Sequence, residues 1–315
     1  MTTDENTELA PEVAALLPVL DAGFPKVETM TGAQARAAIR ARLRLPDEPE
    51  RVGEIIERDL PSGGGVRVYR PAASADGLVS LIVFAHGGGF VFCDLDTHDG
   101  LCRSMANGVG AVVVSVDYRL APEHRWPTAA EDVYAATLWA VEHAREFGAD
   151  PARLAVAGDS AGGNLAAVVA LMARDRGGPA ITAHALLYPV LAADFGTDSY
   201  TRFGEGFYNT RAAMSWYWDQ YVPDLADRTH PYASPVAADL AGLPPAIVVT
   251  AGCDPLRSEG DAYAHALAEA GVTTVHRCYE GVIHGFMTMP VLELAGQACK
   301  DVWADLTRLT RLDES

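Results

Sequence analysis

The chain has 315 residues, 49% of them hydrophobic, enough for one large α/β domain with a core that needs no disulfide or metal to hold it. Its 42 acidic residues outweigh 24 basic ones, of which only Lys26 and Lys300 are lysines, and the formal net charge is −18. An excess of that sign repels nucleic acid and anionic lipid headgroups and argues against both as partners. The five cysteines (Cys93, Cys102, Cys253, Cys278, Cys299) are odd in number and irregularly spaced, a pattern of free thiols in a reducing compartment. The opening MTTDENTELAPEVAALLPVL is acidic where a secretory signal is basic, and no apolar run reaches the ~18 residues of a membrane span. A cytoplasmic location without stable membrane association is expected.

Residues 1–50 read as short helical stretches broken by Pro18, Pro25 and Pro46. VGEIIERDL, the Gly63-Gly64-Gly65 turn and GVRVYRP then predict a hairpin. Continuous apolar runs follow at 79–85, 111–117, 153–158, 184–189 and 246–252, with a further strand candidate at 272–279. Runs of this kind suit parallel strands buried on both faces. Helical stretches near 128–147, 161–176, 259–270 and 291–311 alternate with them, which implies a mostly parallel sheet flanked by helices. About 55 residues separate two of these strands and include the aromatic RAAMSWYWDQYV (211–222). Residues 191–230 are therefore read as an insertion over the C-terminal edge of the sheet.

Gly158-Asp159-Ser160-Ala161-Gly162 follows a strand and opens a helix. A serine on such a sharp turn projects its hydroxyl, and the flanking glycines let strand and helix approach. Taken alone, the pentapeptide fits a serine N-cap on a buried helix equally well. His86-Gly87-Gly88-Gly89 adds to it, because three consecutive glycines after a buried strand let main-chain N–H groups point into a cavity. Gly88, Gly89 and Ala161 are the candidate oxyanion donors, with His86 bracing the loop. A serine nucleophile needs a histidine base oriented by a carboxylate, in the chain order Ser, acid, His. Asp254 stands at the end of the strand at 246–252, with Glu259 and Asp261 as rivals inside the next helix. His284 stands in a loop after the following strand, with His276 as its mid-strand rival. The cluster Cys93, Asp94, Asp96, His98, Asp99 has no metal-loop spacing and is read as closing the glycine loop by hydrogen bonds.

With these residues assembled, the chain from about residue 50 onward resembles the hormone-sensitive lipase family of α/β-hydrolases, particularly its bacterial esterases. HGGGFVF (86–92), VDYRLAPEHRWPTAAEDVYAA (116–136), GDSAGGNLA (158–166), DPLRSEG (254–260) and YEGVIHGF (279–286) stand in the family's order. Cys93 departs from a common glycine and Ser258 from a common aspartate. The resemblance implies an α/β-hydrolase sheet of about eight strands with a helical cap. Residues 51–315 would form the catalytic domain, and residues 1–50 and about 191–230 the cap. It also implies a Ser160–Asp254–His284 carboxylesterase acting on short- to medium-chain esters, without cofactor or metal and often as a homodimer. Trp216, Tyr217, Trp218 and Tyr221 would line the substrate pocket or pack the cap helix, with Trp216 and Tyr217 the binding candidates. Two other readings remain: an amidase or arylformamidase using the same triad, and a non-catalytic receptor like the plant gibberellin receptors, which lose the histidine that stands here as His284.

Overall fold

The computed structural model describes residues 8–73 and 77–311. The strands are β1 (Glu54–Asp59), β2 (Gly65–Arg70), β3 (Val79–Ala85), β4 (Val112–Asp117), β5 (Ala149–Asp159), β6 (Ala183–Leu187), β7 (Ala246–Cys253) and β8 (Thr274–Ile283). They form one sheet in the order β1-β2-β4-β3-β5-β6-β7-β8. The hairpin β1–β2 and the β2–β4 pair are antiparallel, and every other pairing is parallel. The parallel strands therefore end on a common edge, where loops from distant parts of the sequence meet.

The helices are α1 (Pro11–Gly23), α2 (Gly32–Arg40), α3 (Asp99–Val109), α4 (Thr128–His143), α5 (Ala161–Asp175), α6 (Asp198–Phe203), α7 (Arg211–Tyr221), α8 (Arg257–Glu269) and α9 (Glu293–Thr310). Side chains alternate across each strand, so the core has two halves. Leu81, Val83 and Ala85 of β3 join the cluster of α4, α5 and α8, while Ile82 and Phe84 join that of α3 and α9. α5 is buried from Ala161 to Ala173, which explains its near absence of charge along that stretch.

Two features differ from the sequence expectation. α3, which carries the crossover from β3 to β4, was not anticipated, because Gly100 and Gly108 weaken its helical pattern. A Cβ at Gly108 would stand 2.4 Å from Trp303 of α9, so that glycine permits the close packing of the two helices. β8 also runs to Ile283, beyond the expected end at Tyr279, because the β7–β8 register shifts between Ala251 and Cys253. Gly281, at φ 74°, stands in this irregular stretch.

Of the N-terminal segment, residues 1–7 lie outside the described residues. The rest places α1 against β8 and the Val27–Thr29 turn against α7. Phe24 meets Phe92 and Tyr208 edge-on, with centroids 6.4 and 5.0 Å away.

Candidate active site

Four loops leave the C-terminal ends of β3, β5, β7 and β8 and bring the sequence candidates together. Ser160 follows β5 directly, at φ 53° and ψ −117°, a conformation costly for a side-chain-bearing residue and held by its surroundings. Its N–H donates to Leu187 O, and its carbonyl accepts from Asn164 and Val190. The flanking glycines have a measurable reason: a Cβ at Gly158 would lie 2.1 Å from Gly162 O, and one at Gly162 would lie 1.9 Å from Ala85 O.

Ser160 Oγ stands 2.8 Å from His284 Nε2, and His284 Nδ1 stands 2.7 Å from Asp254 Oδ2. Asp254 is wholly buried, and its second oxygen accepts from Leu256 N–H at 2.9 Å, which fixes the carboxylate plane. Tyr188 packs edge-on against the imidazole at 5.2 Å. The rivals lie elsewhere. Asp261 and His276 pair with each other at 3.0 Å and share Thr250. Glu259 is buried and accepts from Leu191 N–H, and burial holds its carboxyl well above the usual range.

The glycine loop is fixed from below. Gly87 N–H donates to Asp159 Oδ1 at 2.8 Å, and His98 Nε2 lies 3.1 Å from the same oxygen. Burial pushes the Asp159 carboxyl up, but His98 and the Gly87 N–H outweigh it and hold the group below its usual value. His86 stacks on Tyr118 at 4.3 Å, and burial lowers it to about 4, so its imidazole is neutral. Gly88 (φ 112°) and Gly89 (φ 58°) line the cavity beside Ser160, and the Gly88 carbonyl turns back to accept from Val91 and Phe92. Ala161 opens α5 immediately after the nucleophile candidate.

The Cys93–Asp99 cluster makes its bonds within the loop and to the body of the protein. Asp94 accepts from the N–H groups of Asp96 and Thr97, Arg40 of α2 pairs with Asp94 and Asp96, and Arg67 of β2 pairs with Asp96. Cys93 adopts φ 69°, a left-handed position that favours glycine, and burial pushes its thiol up to about 12. Ser258 bonds across to Ser199 of α6, joining the acid loop to the 191–230 segment.

Above this floor lies a cavity of about 340 Å³, within the usual size range of small-molecule sites. Phe24, Phe92, Tyr208, Met214, Tyr217 and Trp218 supply much of its apolar wall. Tyr217 lies over the glycine loop, where a Cβ at Gly89 would stand 2.5 Å from its ring. Trp216 does not reach the cavity. It packs edge-on against Tyr217, because successive residues of a helix point about 100° apart. Trp218, two residues beyond Trp216, lines the cavity where Trp216 was expected to.

Sequence reasoning missed Asp159 and Arg257 as members of the site, whereas His98 belongs to the cluster expected to close the glycine loop and does so through Asp159. Asp159 lay inside the serine pentapeptide as an unassigned position. Arg257 donates to Gly252 O and to Glu280, tying the loop of Asp254 to that of His284.

A family model for the α/β-hydrolase fold matches residues 82–288, about two thirds of the chain. The chain belongs to the α/β-hydrolase family. It is of the hormone-sensitive lipase and carboxylesterase type within that family. It is 43% identical to the esterase LipI of Mycobacterium tuberculosis, covering 91% of this chain and 90% of that one. It is 38% identical to an ethyl acetate hydrolase of Pseudomonas putida, covering 89% and 92%. Among solved structures, a thermostable esterase from Pseudomonas putida superposes with a TM-score of 0.90 at 39% identity, over 99% of this chain and 100% of that one. A hyperthermophilic esterase from the archaeon Pyrobaculum calidifontis gives 0.88 at 40% identity, over 96% and 99%. Among the described residues of this α/β-hydrolase, no helix is long and apolar enough to cross a membrane.

Proposed function

We propose that this chain hydrolyses short- to medium-chain carboxylic esters through an acyl-enzyme on Ser160. The observation that carries this reading is the unbroken relay from hydroxyl to imidazole to buried carboxylate, at 2.8 and 2.7 Å, on the floor of an apolar cavity. The Ser160 hydroxyl donates to His284 Nε2, which takes the proton as Oγ attacks the ester carbonyl. His284 Nδ1–H donates to Asp254, whose carboxylate stabilises the imidazolium that forms. The oxyanion is received by N–H groups of Gly88, Gly89 and Ala161. The alcohol leaves with the proton from His284, and water, deprotonated by the same imidazole, releases the acid.

Residues 8–50 and 191–230 act in this reading as the cap, since Phe24, Pro25 and Lys26 from one and Tyr208, Met214, Tyr217 and Trp218 from the other line the cavity. Among the described residues the five cysteines form no disulfide, which supports a cytoplasmic location. A homodimer is part of the proposal, and sedimentation of the purified protein tests it.

Ser160→Ala should lower kcat on a para-nitrophenyl ester by about a millionfold while leaving the melting temperature within a few degrees of wild type. It should also abolish labelling by a fluorophosphonate probe. Turnover retained in a folded variant overturns the assignment, and wild-type preference for the matching anilide over the ester would move the reading to amide hydrolysis.

A further inference from the structure

The loop that carries His284 is held at both ends by the N-terminal segment. It runs from the irregular end of β8 to the start of α9. There the β7–β8 register passes from Ala251↔Tyr279 to Cys253↔Ile283, so Gly252 alone on β7 faces Glu280, Gly281 and Val282 on β8. The excess residues bend the strand just before His284. The Gly281 carbonyl accepts from the Ala10 N–H at 2.9 Å. The approach is close, since a Cβ at Gly281 would lie 2.8 Å from Ala10 N and 3.1 Å from Glu8 O. At the other end, α9 begins after Leu292, whose side chain offers no cap. Glu12 supplies one from 281 residues away. Its Oε2 accepts from the Glu293 N–H at 2.7 Å and its Oε1 from the Leu294 N–H at 3.0 Å. The free N–H groups and the dipole at a helix start favour a carboxylate in that place. Beside these two bonds, Val13 of α1 is wholly buried in the same core cluster as Ile283, Phe286 and Leu292.

We propose that Glu12 is a positioning residue for His284. With Ala10 it closes a clamp across residues 281–294, and the clamp keeps the imidazole within reach of both Ser160 and Asp254. The proposal rests on the esterase reading above and adds to it a residue that touches neither substrate nor the reacting atoms. Within the loop, Gly285 stands at φ 77° and the turn Phe286–Thr288 bonds back on itself, so the direction of the loop is set by what holds its ends. A shift of about an ångström between base and nucleophile is enough to slow the reaction severely, so loss of an anchor at either end reaches the chemistry.

The test reads kcat and KM separately on para-nitrophenyl butyrate, well below the melting temperature of each variant. Glu12→Ala should lower kcat about tenfold and leave KM within about twofold of wild type, because it displaces the base and leaves the cavity in place. The rate of fluorophosphonate labelling should fall with kcat, since phosphonylation of Ser160 calls on the same imidazole. Glu12→Gln keeps one acceptor oxygen for the two N–H groups, and its kcat should lie between those of Glu12→Ala and wild type. If Glu12→Ala fails to fold, the same readouts on Glu12→Gln decide. A folded variant with a lowered melting temperature but wild-type kcat and labelling rate overturns the proposal and leaves Glu12 a helix cap alone. A raised KM at unchanged kcat overturns it too, since the segment would then shape the cavity and not place the base. Either result leaves the esterase reading intact, whereas a wild-type protein that neither turns over any ester nor takes the label overturns both.

Discussion

The glycine loop beneath Ser160 and the 204–218 segment beside it line the same cavity, yet the bonds that hold their side chains differ. In the floor, Gly87, Asp159 and His98 satisfy one another, and Asp254 uses one oxygen for Leu256 and the other for His284. In the wall, Asn209 and Trp218 hold buried donors without partners. Groups that must stay in place during the reaction are bonded into a rigid body, because misplacement by an ångström is costly to catalysis.

The largest effect that would sharpen this contrast lies where the two regions touch. Gly89→Ala drives a methyl into the Tyr217 ring and disturbs a candidate oxyanion donor, so kcat should fall about a hundredfold. Adding Tyr217→Ala should recover part of that loss by removing the obstructing ring. Equal kcat in Gly89→Ala and wild type would show that floor and wall are not coupled there.

A smaller effect probes the floor alone. His98→Ala leaves the buried Asp159 carboxylate without its imidazole partner and should lower unfolding stability by about 2 kcal/mol. Asp159→Asn in that background should restore much of it, as a denaturant double-mutant cycle would read. The Asp159 carboxyl sits below its usual value in the fold. Its contribution is therefore present above the ordinary carboxylate range and is lost as pH falls through the folded value. The gap between wild type and His98→Ala should close in acid, and a gap independent of pH would break the account.

The smallest effect concerns the joint between floor and wall. Glu259 holds Leu191, where the 191–230 segment leaves the sheet, and burial raises its carboxyl well above the usual range. A raised carboxyl contributes fully below the unfolded value of about 4.3 and loses that contribution as pH rises toward the folded one. Glu259→Gln, which keeps the acceptor without the titration, should melt slightly above wild type at mildly alkaline pH and converge with it in acid. The opposite trend would mean that the carboxylate is charged in the fold.

The elements most legible in the sequence were those whose reasons are local. The buried strands announced themselves by continuous apolar runs, and the serine turn and glycine loop by residues whose missing Cβ atoms make room for backbone at about 2 Å. α3 was obscured because Gly108 serves a contact with Trp303, nearly two hundred residues away. The role of Asp159 was hidden for a related reason: its partners, Gly87 and His98, lie on another loop, and no spacing within the pentapeptide reveals them.

By itself the sequence determined the alternation of strands and helices, the turn that projects Ser160, and the chain order in which acid and histidine had to follow. Only the tertiary structure puts Asp254 2.7 Å from His284 while its neighbours Glu259 and Asp261 bond to Leu191 and His276, since a few residues at the start of a helix separate side chains that face different ways. It alone also decided that Trp218 and not Trp216 lines the cavity. Aromatic residues on several sides of α7 give that helix no apolar stripe to reveal its inner face, so its orientation comes from what packs against it.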